Sequence, residues 1–170
     1  MARHHRGIQI GLMRGGQMNV SEINSELNLR KWLSANVRGV NLQWVEPSLY
    51  GSSTGAADVV IKKDGVKVDV ELKHLYHTKR GIKFTLRPAQ RRFHHSSMKH
   101  GNRTCLLFTL EGNPFLTLIR GDHVPLRDYS SDPSSGCAQG IVKMFPVFGI
   151  TNLEIAAKLV SVLFDDVFWI

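Results

Sequence analysis

Asp58, Glu71 and Lys73 are the residues of this 170-residue chain whose types and spacing admit hydrolytic chemistry. Carboxylate oxygens are the donors that Mg²⁺ prefers. An ammonium beside them can orient or deprotonate a water, or stabilise charge on a phosphate. All three residues come from one stretch, Gly55 to Lys73. Ala57 to Lys62 is apolar-rich, Asp64-Gly65 is a two-residue turn signal, and Val66 to Lys73 alternates strictly. The pattern predicts a β-hairpin. Val66, Val68, Val70 and Leu72 share one face, and Lys67, Asp69, Glu71 and Lys73 share the other. Pairing across the turn brings Asp58 toward Glu71, with the register left open by the sequence. An exposed edge strand whose charges discourage aggregation has the same pattern.

The twelve residues between Asp58 and Glu71, followed by Leu72-Lys73, resemble the motif of the PD-(D/E)XK nuclease superfamily. Downstream, Leu86-Arg87-Pro88-Ala89-Gln90 resembles the glutamine-bearing helix start of its VRR-NUC and Holliday-junction-resolvase-like branches. The likeness covers roughly residues 20 to 120, and Ala57 stands where the superfamily commonly has proline. The resemblance implies a metal held by Asp58, Glu71 and the backbone carbonyl of Leu72, with Lys73 and Gln90 completing the catalytic group. It also implies a glutamate from the first helix.

That glutamate is Glu26 or Glu22. Asn19 to Val37 reads as a helix opened by Asn19 or Ser21, with Asn19-x-x-Glu22 as a capping box. Ile23, Leu27, Leu29, Leu33 and Val37 define its apolar arc, and Glu26 falls inside it. A carboxylate on a buried face must be paired, protonated or on a metal. Glu22 lies at the edge of the arc, where it also complements the helix dipole. A pairing of Glu26 with Arg30, four residues on, is the plainer alternative.

Between Leu72 and Leu110 there is no Asp or Glu. Lys79, Arg80, Lys83, Arg87, Arg91, Arg92 and Lys99 fall in this stretch, beside five histidines. A solvated face would mix signs, so the segment reads as a phosphate-binding surface around an acidic site. His74-x-x-His77 and His94-His95 do not have a zinc spacing. His74 to Gly81 reads as a loop and Ile82 to Leu86 as a short extended piece. Pro88 opens a helix to about Lys99, with Gln90 in its first turn.

Around these parts the chain organises as an α/β fold. A mixed central β-sheet is flanked by helices in a restriction-endonuclease-like core. Val40 to Val45, Arg103 to Leu110, Phe115 to Ile119 and Ile141 to Phe148 supply further strands, and the Pro88 helix makes a crossover. Thr151-Asn152-Leu153-Glu154 is a capping box for a last helix to about Phe164. Residues 1–19 read as a basic arm. Residues 20–170 read as one nuclease domain, with a catalytic core at 20–120 and an extension at 121–170. Gly51 to Gly55 reads as a flexible loop at the mouth of the site, and Asp122 to Gln139 as a loop or linker. The apolar tail from Phe164 to Ile170 docks on its own domain or on a second copy.

A net charge of +8 favours a polyanionic partner, and a hydrophobic fraction of 42% is that of a globular chain. Two cysteines, Cys105 and Cys137, in a domain of this size need no disulfide, which fits a reducing, cytoplasmic setting. No apolar run approaches a membrane span, and no small-molecule cofactor is indicated. The expected function is a Mg²⁺-dependent endonuclease acting on DNA, with Mn²⁺ substituting. A structure-specific or site-specific enzyme of phage or mobile-element type fits by resemblance. Cutting two strands together requires two sites and hence a homodimer. The alternative is a non-catalytic nucleic-acid-binding protein that retains the fold.

Overall fold

A computed structural model describes residues 18–46, 57–130, 140, 142–147 and 149–170. The basic arm, the glycine-serine loop before Ala57 and Cys137 lie outside the described residues, apart from the last two residues of the arm. The strands are β1 (Asn41–Trp44), β2 (Val59–Lys63), β3 (Val66–Thr78), β4 (Gly81–Lys83), β5 (Arg103–Leu110), β6 (Phe115–Arg120), β7 (Tyr129–Ser130) and β8 (Val142–Pro146). The helices are α1 (Glu26–Asn36), α2 (Pro88–Lys99) and α3 (Asn152–Leu163). The main sheet runs β1-β2-β3-β5-β6-β8, with β4 paired to β3 and to β7. All neighbours are antiparallel except β3 and β5, which are parallel and joined through α2. This is the expected mixed α/β sheet flanked by helices. A parallel pair cannot be closed by a tight turn and needs a long crossover, which β4 and α2 supply here.

The hairpin forms where the alternation placed it. Asp64 (φ 49°) and Gly65 (φ 79°) make the two-residue loop. Positive φ at both positions matches the right-handed twist of the flanking strands. Val59 pairs with Val70, so one further step sets Asp58 across from Glu71. Val68, Val70 and Leu72 enter a core with Leu29, Trp32 and Leu33 of α1 and with Ile155, Leu159 and Leu163 of α3. The other face of the sheet buries Leu75, Phe84, Leu106, Phe108 and Val124. Glu71 and Lys73 therefore point toward the α2 layer.

Three local readings are corrected. Asn19 and Glu22 do form a capping box, but it closes only a 3₁₀ turn at Val20–Glu22, with Asn19 N donating to Glu22 Oε2 at 2.7 Å. The chain is extended at Ile23, and α1 begins at Glu26 with Ser25 Oγ accepting from Asn28 N at 3.1 Å. With the start moved, the buried stripe is Leu29, Trp32, Leu33 and Asn36, and Leu27 is 59% exposed. The segment His74 to Gly81 is not a loop. β3 continues through it to Thr78 and returns as β4, because Leu75 and Ile82 are buried and Leu75 pairs with Leu110 of β5. The Asp122 to Gln139 segment holds a 3₁₀ turn at Gly121–His123 and the short β7 before the described residues stop at 130.

Gly121 packs so closely on β5 that an added Cβ would lie 2.6 Å from the Thr104 carbonyl oxygen. At the C-terminal end, Phe168 is buried in the first core, and Trp169 Nε1 donates to Leu163 O at 3.0 Å. The tail thus docks on its own domain, though Val167 and Ile170 stay exposed.

Candidate active site

Glu71 and Lys73 sit two residues apart on β3, and both side chains are buried. Lys73 Nζ lies 3.1 Å from Glu71 Oε1 and 3.3 Å from Glu26 Oε1. Gln90 Nε2 also donates to Glu71 Oε1. Gln90 Oε1 accepts from Arg87 N at 2.9 Å, so the amide is fixed by the start of its own helix. Pro88 in the first turn has no N–H to satisfy and leaves this cap uncontested. Asp58 Oδ2 accepts from Leu72 N at 2.8 Å, which ties the end of β2 to β3 beyond their paired register. A cavity of about 190 Å³ opens alongside, lined by Glu26, Leu27, Arg30, Asp58 and Leu72.

The electrostatics are those of crowded carboxylates. Burial pushes Glu71 up to about 8. The charges of Asp58 and Glu26 add to the rise, while Lys73 opposes it. Burial also works against the Lys73 ammonium, but Glu71, Glu26 and Asp58 outweigh it and hold the group above its ordinary range. Among the described residues nothing partners the buried Glu71 Oε2. A buried carboxylate oxygen with no donor is costly unless a cation or water meets it.

That unmatched oxygen, beside repelling carboxylates, fits a hard divalent cation. Glu71, Asp58, Glu26 and the Leu72 carbonyl are the groups that would hold it. Among the described residues no three His, Cys, Asp or Glu side chains stand converged on one point. The Lys73 ammonium sits between Glu71 and Glu26 instead.

No protein-family model matches the chain. No curated protein matches it either. Among solved structures it is similar to the Holliday junction resolvase Hjc from Archaeoglobus fulgidus, with a TM-score of 0.44 and 12% identity. That alignment covers 77% of this chain and 94% of that one.

The structure separates the two candidate helix glutamates. Glu26 reaches Lys73, whereas Glu22 is exposed and spends its carboxylate on Asn19 N. Glu26 is itself half exposed, because it stands at the helix start and not on the buried stripe. Arg30, its sequence-local partner, pairs instead with Glu46 at 2.8 Å. Asp69 shares the face of Glu71 but pairs with Lys67 at 3.5 Å, away from the Lys73 cluster.

Lys79, Arg80, Lys83, Arg87, Arg92 and Lys99 are exposed. Arg91 is a correction to the surface reading, for it is buried. Its guanidinium donates to Leu126 O at 2.8 Å, Phe84 O at 3.1 Å and Asp128 Oδ1 at 2.8 Å. It pins the loop before β7 to α2, a job its sequence neighbours do not share.

His94 enters the sequence reading only as part of a histidine pair without a zinc spacing. It lies one helical turn beyond Gln90, is fully buried, and neither ring nitrogen has a partner among the described residues. Burial, then the charges of His95 and Lys73, lower it to about 4. The available signal was the i, i+4 spacing from Gln90, which puts both on one helix face.

Proposed function

We propose that this protein is a divalent-metal-dependent endonuclease that hydrolyses phosphodiester bonds in DNA. The observation that carries the reading is Glu71: a buried carboxylate with one oxygen on Gln90 and Lys73, the other unmatched among the described residues, and Asp58 repelling it from across the hairpin. Asp58, Glu71 and the Leu72 carbonyl would hold the ion, with Glu26 joining directly or through a water. When bound, Mg²⁺ or Mn²⁺ offsets the negative charge that grows on the phosphate.

Gln90 fixes the Glu71 carboxylate by one oxygen and so leaves the other for the ion that would be bound there. Lys73, an ammonium among carboxylates, donates hydrogen bonds to the attacking water or to a phosphate oxygen. The water oxygen forms a bond to phosphorus as the P–O bond to the leaving sugar oxygen breaks. The water gives up a proton and the leaving oxygen takes one. The exposed cations Lys79, Arg80, Lys83, Arg87, Arg92 and Lys99 neutralise backbone phosphates on either side.

A second reading is favoured by the closure of the Lys73 ion pairs with Glu71 and Glu26. Such a cluster can be a structural polar core in a protein that only binds nucleic acid. One experiment separates the two. Plasmid, single-stranded, flap and four-way-junction DNA are incubated with Mg²⁺ or Mn²⁺, wild type beside Glu71→Gln and Lys73→Ala. The nuclease reading expects cleavage by the wild type and none by folded variants that still bind DNA. Binding without cleavage in any metal, unchanged in both variants, supports the binding-only reading. Sedimentation of the active protein tests the homodimer that concerted two-strand cutting requires.

A further inference from the structure

The last residues of β3 serve a second cavity. His74 and Tyr76 occupy the face opposite Glu71 and Lys73, and there they line a space of about 770 Å³. Ser21, Asn24, Glu111 and Asn113 stand around it, over an apolar floor of Val20, Ile23 and Leu110. This cavity adjoins the candidate active site through two of the three segments that line it. His74 follows Lys73, and Asn24 precedes Glu26 by two residues. Glu26 and Lys73 are themselves in contact at 3.3 Å. At about 3.3 Å per residue, Tyr76 lies about 10 Å along β3 from Lys73. The two sites lie on opposite faces, but β2 pairs with β3 as far as Val70 and β4 pairs with it from Tyr76 on, and at the strand edge between them Glu26 of α1 reaches Lys73, so a nucleic-acid strand would turn around that edge to bring a base to Tyr76.

The lining names the ligand class. Among the described residues no Lys or Arg borders the cavity, so it is not built for phosphate. Tyr76 is 44% exposed, and its ring is set by an edge-to-face contact with His74, centroids 5.0 Å apart at 87°. His74 is in turn held through Nδ1 by Thr109 Oγ1 at 2.9 Å. Asn24 Oδ1 accepts from Asn28 Nδ2 at 2.7 Å, and Asn113 Oδ1 accepts from Phe115 N at 3.0 Å. Among the described residues both amides therefore keep their NH₂ ends as donors, and Glu111, also in the lining, only accepts when ionised. An aromatic face with fixed donors and an acceptor is what reads an unpaired base.

We infer that this cavity receives an unstacked nucleobase of the strand held at the Glu71–Lys73 cluster, so that the protein favours nucleic acid with an unpaired nucleotide beside the cut. The inference rests on the proposed nucleic-acid function of that cluster. The test is binding without divalent metal, where nothing is cut. Single-stranded, bulged and fully paired oligonucleotides are titrated, with 2-aminopurine walked along the unpaired segment.

One position should change fluorescence on binding to the wild type. Tyr76→Ala should abolish that change and weaken binding to the bulged and single-stranded forms about 5- to 100-fold, as loss of one base–aromatic stack does. Binding to paired duplex should move less than about 2-fold on the same scale. Tyr76→Phe, which keeps the ring, should behave as wild type. Equal loss on all three forms, or no position-specific signal, overturns the inference. Such a result leaves the nuclease reading standing if the metal-loaded protein still cuts. Conversely, a Tyr76-dependent signal in a protein that never cuts supports the cavity and sinks the nuclease reading alone. No binding to any form refutes both.

Discussion

Replacing Glu71 by Gln keeps the shape and the Gln90 contact but removes the charge that burial opposes. The magnitude follows from linkage. Glu71 is raised from 4.5 to about 8, a span of about 3.5 pH units. Between those values the folded protein holds a proton that the unfolded chain has released. Wild-type stability is therefore fullest below about 4.5 and falls as pH rises, by up to about 1.4 kcal/mol per pH unit, reaching a plateau above about 8. The ceiling is about 5 kcal/mol, and reorganisation of Lys73 and water entry bring the expectation to a few kcal/mol. Glu71→Gln has no such group. The assay is urea unfolding of both proteins in EDTA from pH 4.5 to 9, read as their difference so that shared titrations cancel. The variant should gain on the wild type steadily with pH. Saturating Mg²⁺ at pH 8 should then raise wild-type stability by about 2 to 3 kcal/mol at a hundred times its dissociation constant and leave the variant unmoved. A difference that stays flat across the range would refute the argument that Glu71 is a desolvated, repelled carboxylate.

Other outcomes follow from particular contacts. Arg91→Met should cost about 2 to 3 kcal/mol in chemical unfolding by stranding the Phe84 and Leu126 carbonyls. It should leave the salt dependence of DNA binding unchanged. Arg92→Ala, by contrast, should lower the slope of log affinity against log salt by about one without loss of stability. Gly121→Ala should destabilise by about 1 to 3 kcal/mol, because the Cβ meets both the Thr104 hydroxyl and, at 2.6 Å, the Thr104 carbonyl oxygen, and the backbone oxygen cannot turn aside. Gln90→Ala should cut the cleavage rate about 10- to 100-fold with DNA affinity retained, as loss of a residue that orients a metal-holding carboxylate does. A parallel loss of affinity would place Gln90 on the DNA instead.

Much of the candidate site was legible because its chemistry lies on a hairpin. Strict alternation from Val66 to Lys73 sorts the charged side chains onto one face by pleat geometry alone. Asp64-Gly65 sets the loop length, so the approach of Asp58 to Glu71 was readable up to the register. Gln90 was placed by Pro88, which marks the first turn of α2 wherever that helix packs. Fold class followed likewise from the order of periodic segments.

What local pattern could not decide was anything set by groups far apart in sequence. Asn19 and Glu22 satisfy the same cap whether one turn or a whole helix follows, so they do not mark the start of α1, which Ser25 caps. Arg91 and Arg92 look alike in a basic run. Only the arrival of Phe84, Leu126 and Asp128 around one of them makes it a buried pin. The choice between Glu22 and Glu26 needed the distance to Lys73 across two elements. The sequence by itself determined which residue types share a face and where turns fall, because those are properties of neighbouring dihedral angles. Tertiary structure alone decided which charges lose water and which carboxylate oxygen lacks a donor, because burial and pairing are settled by the other side of the molecule.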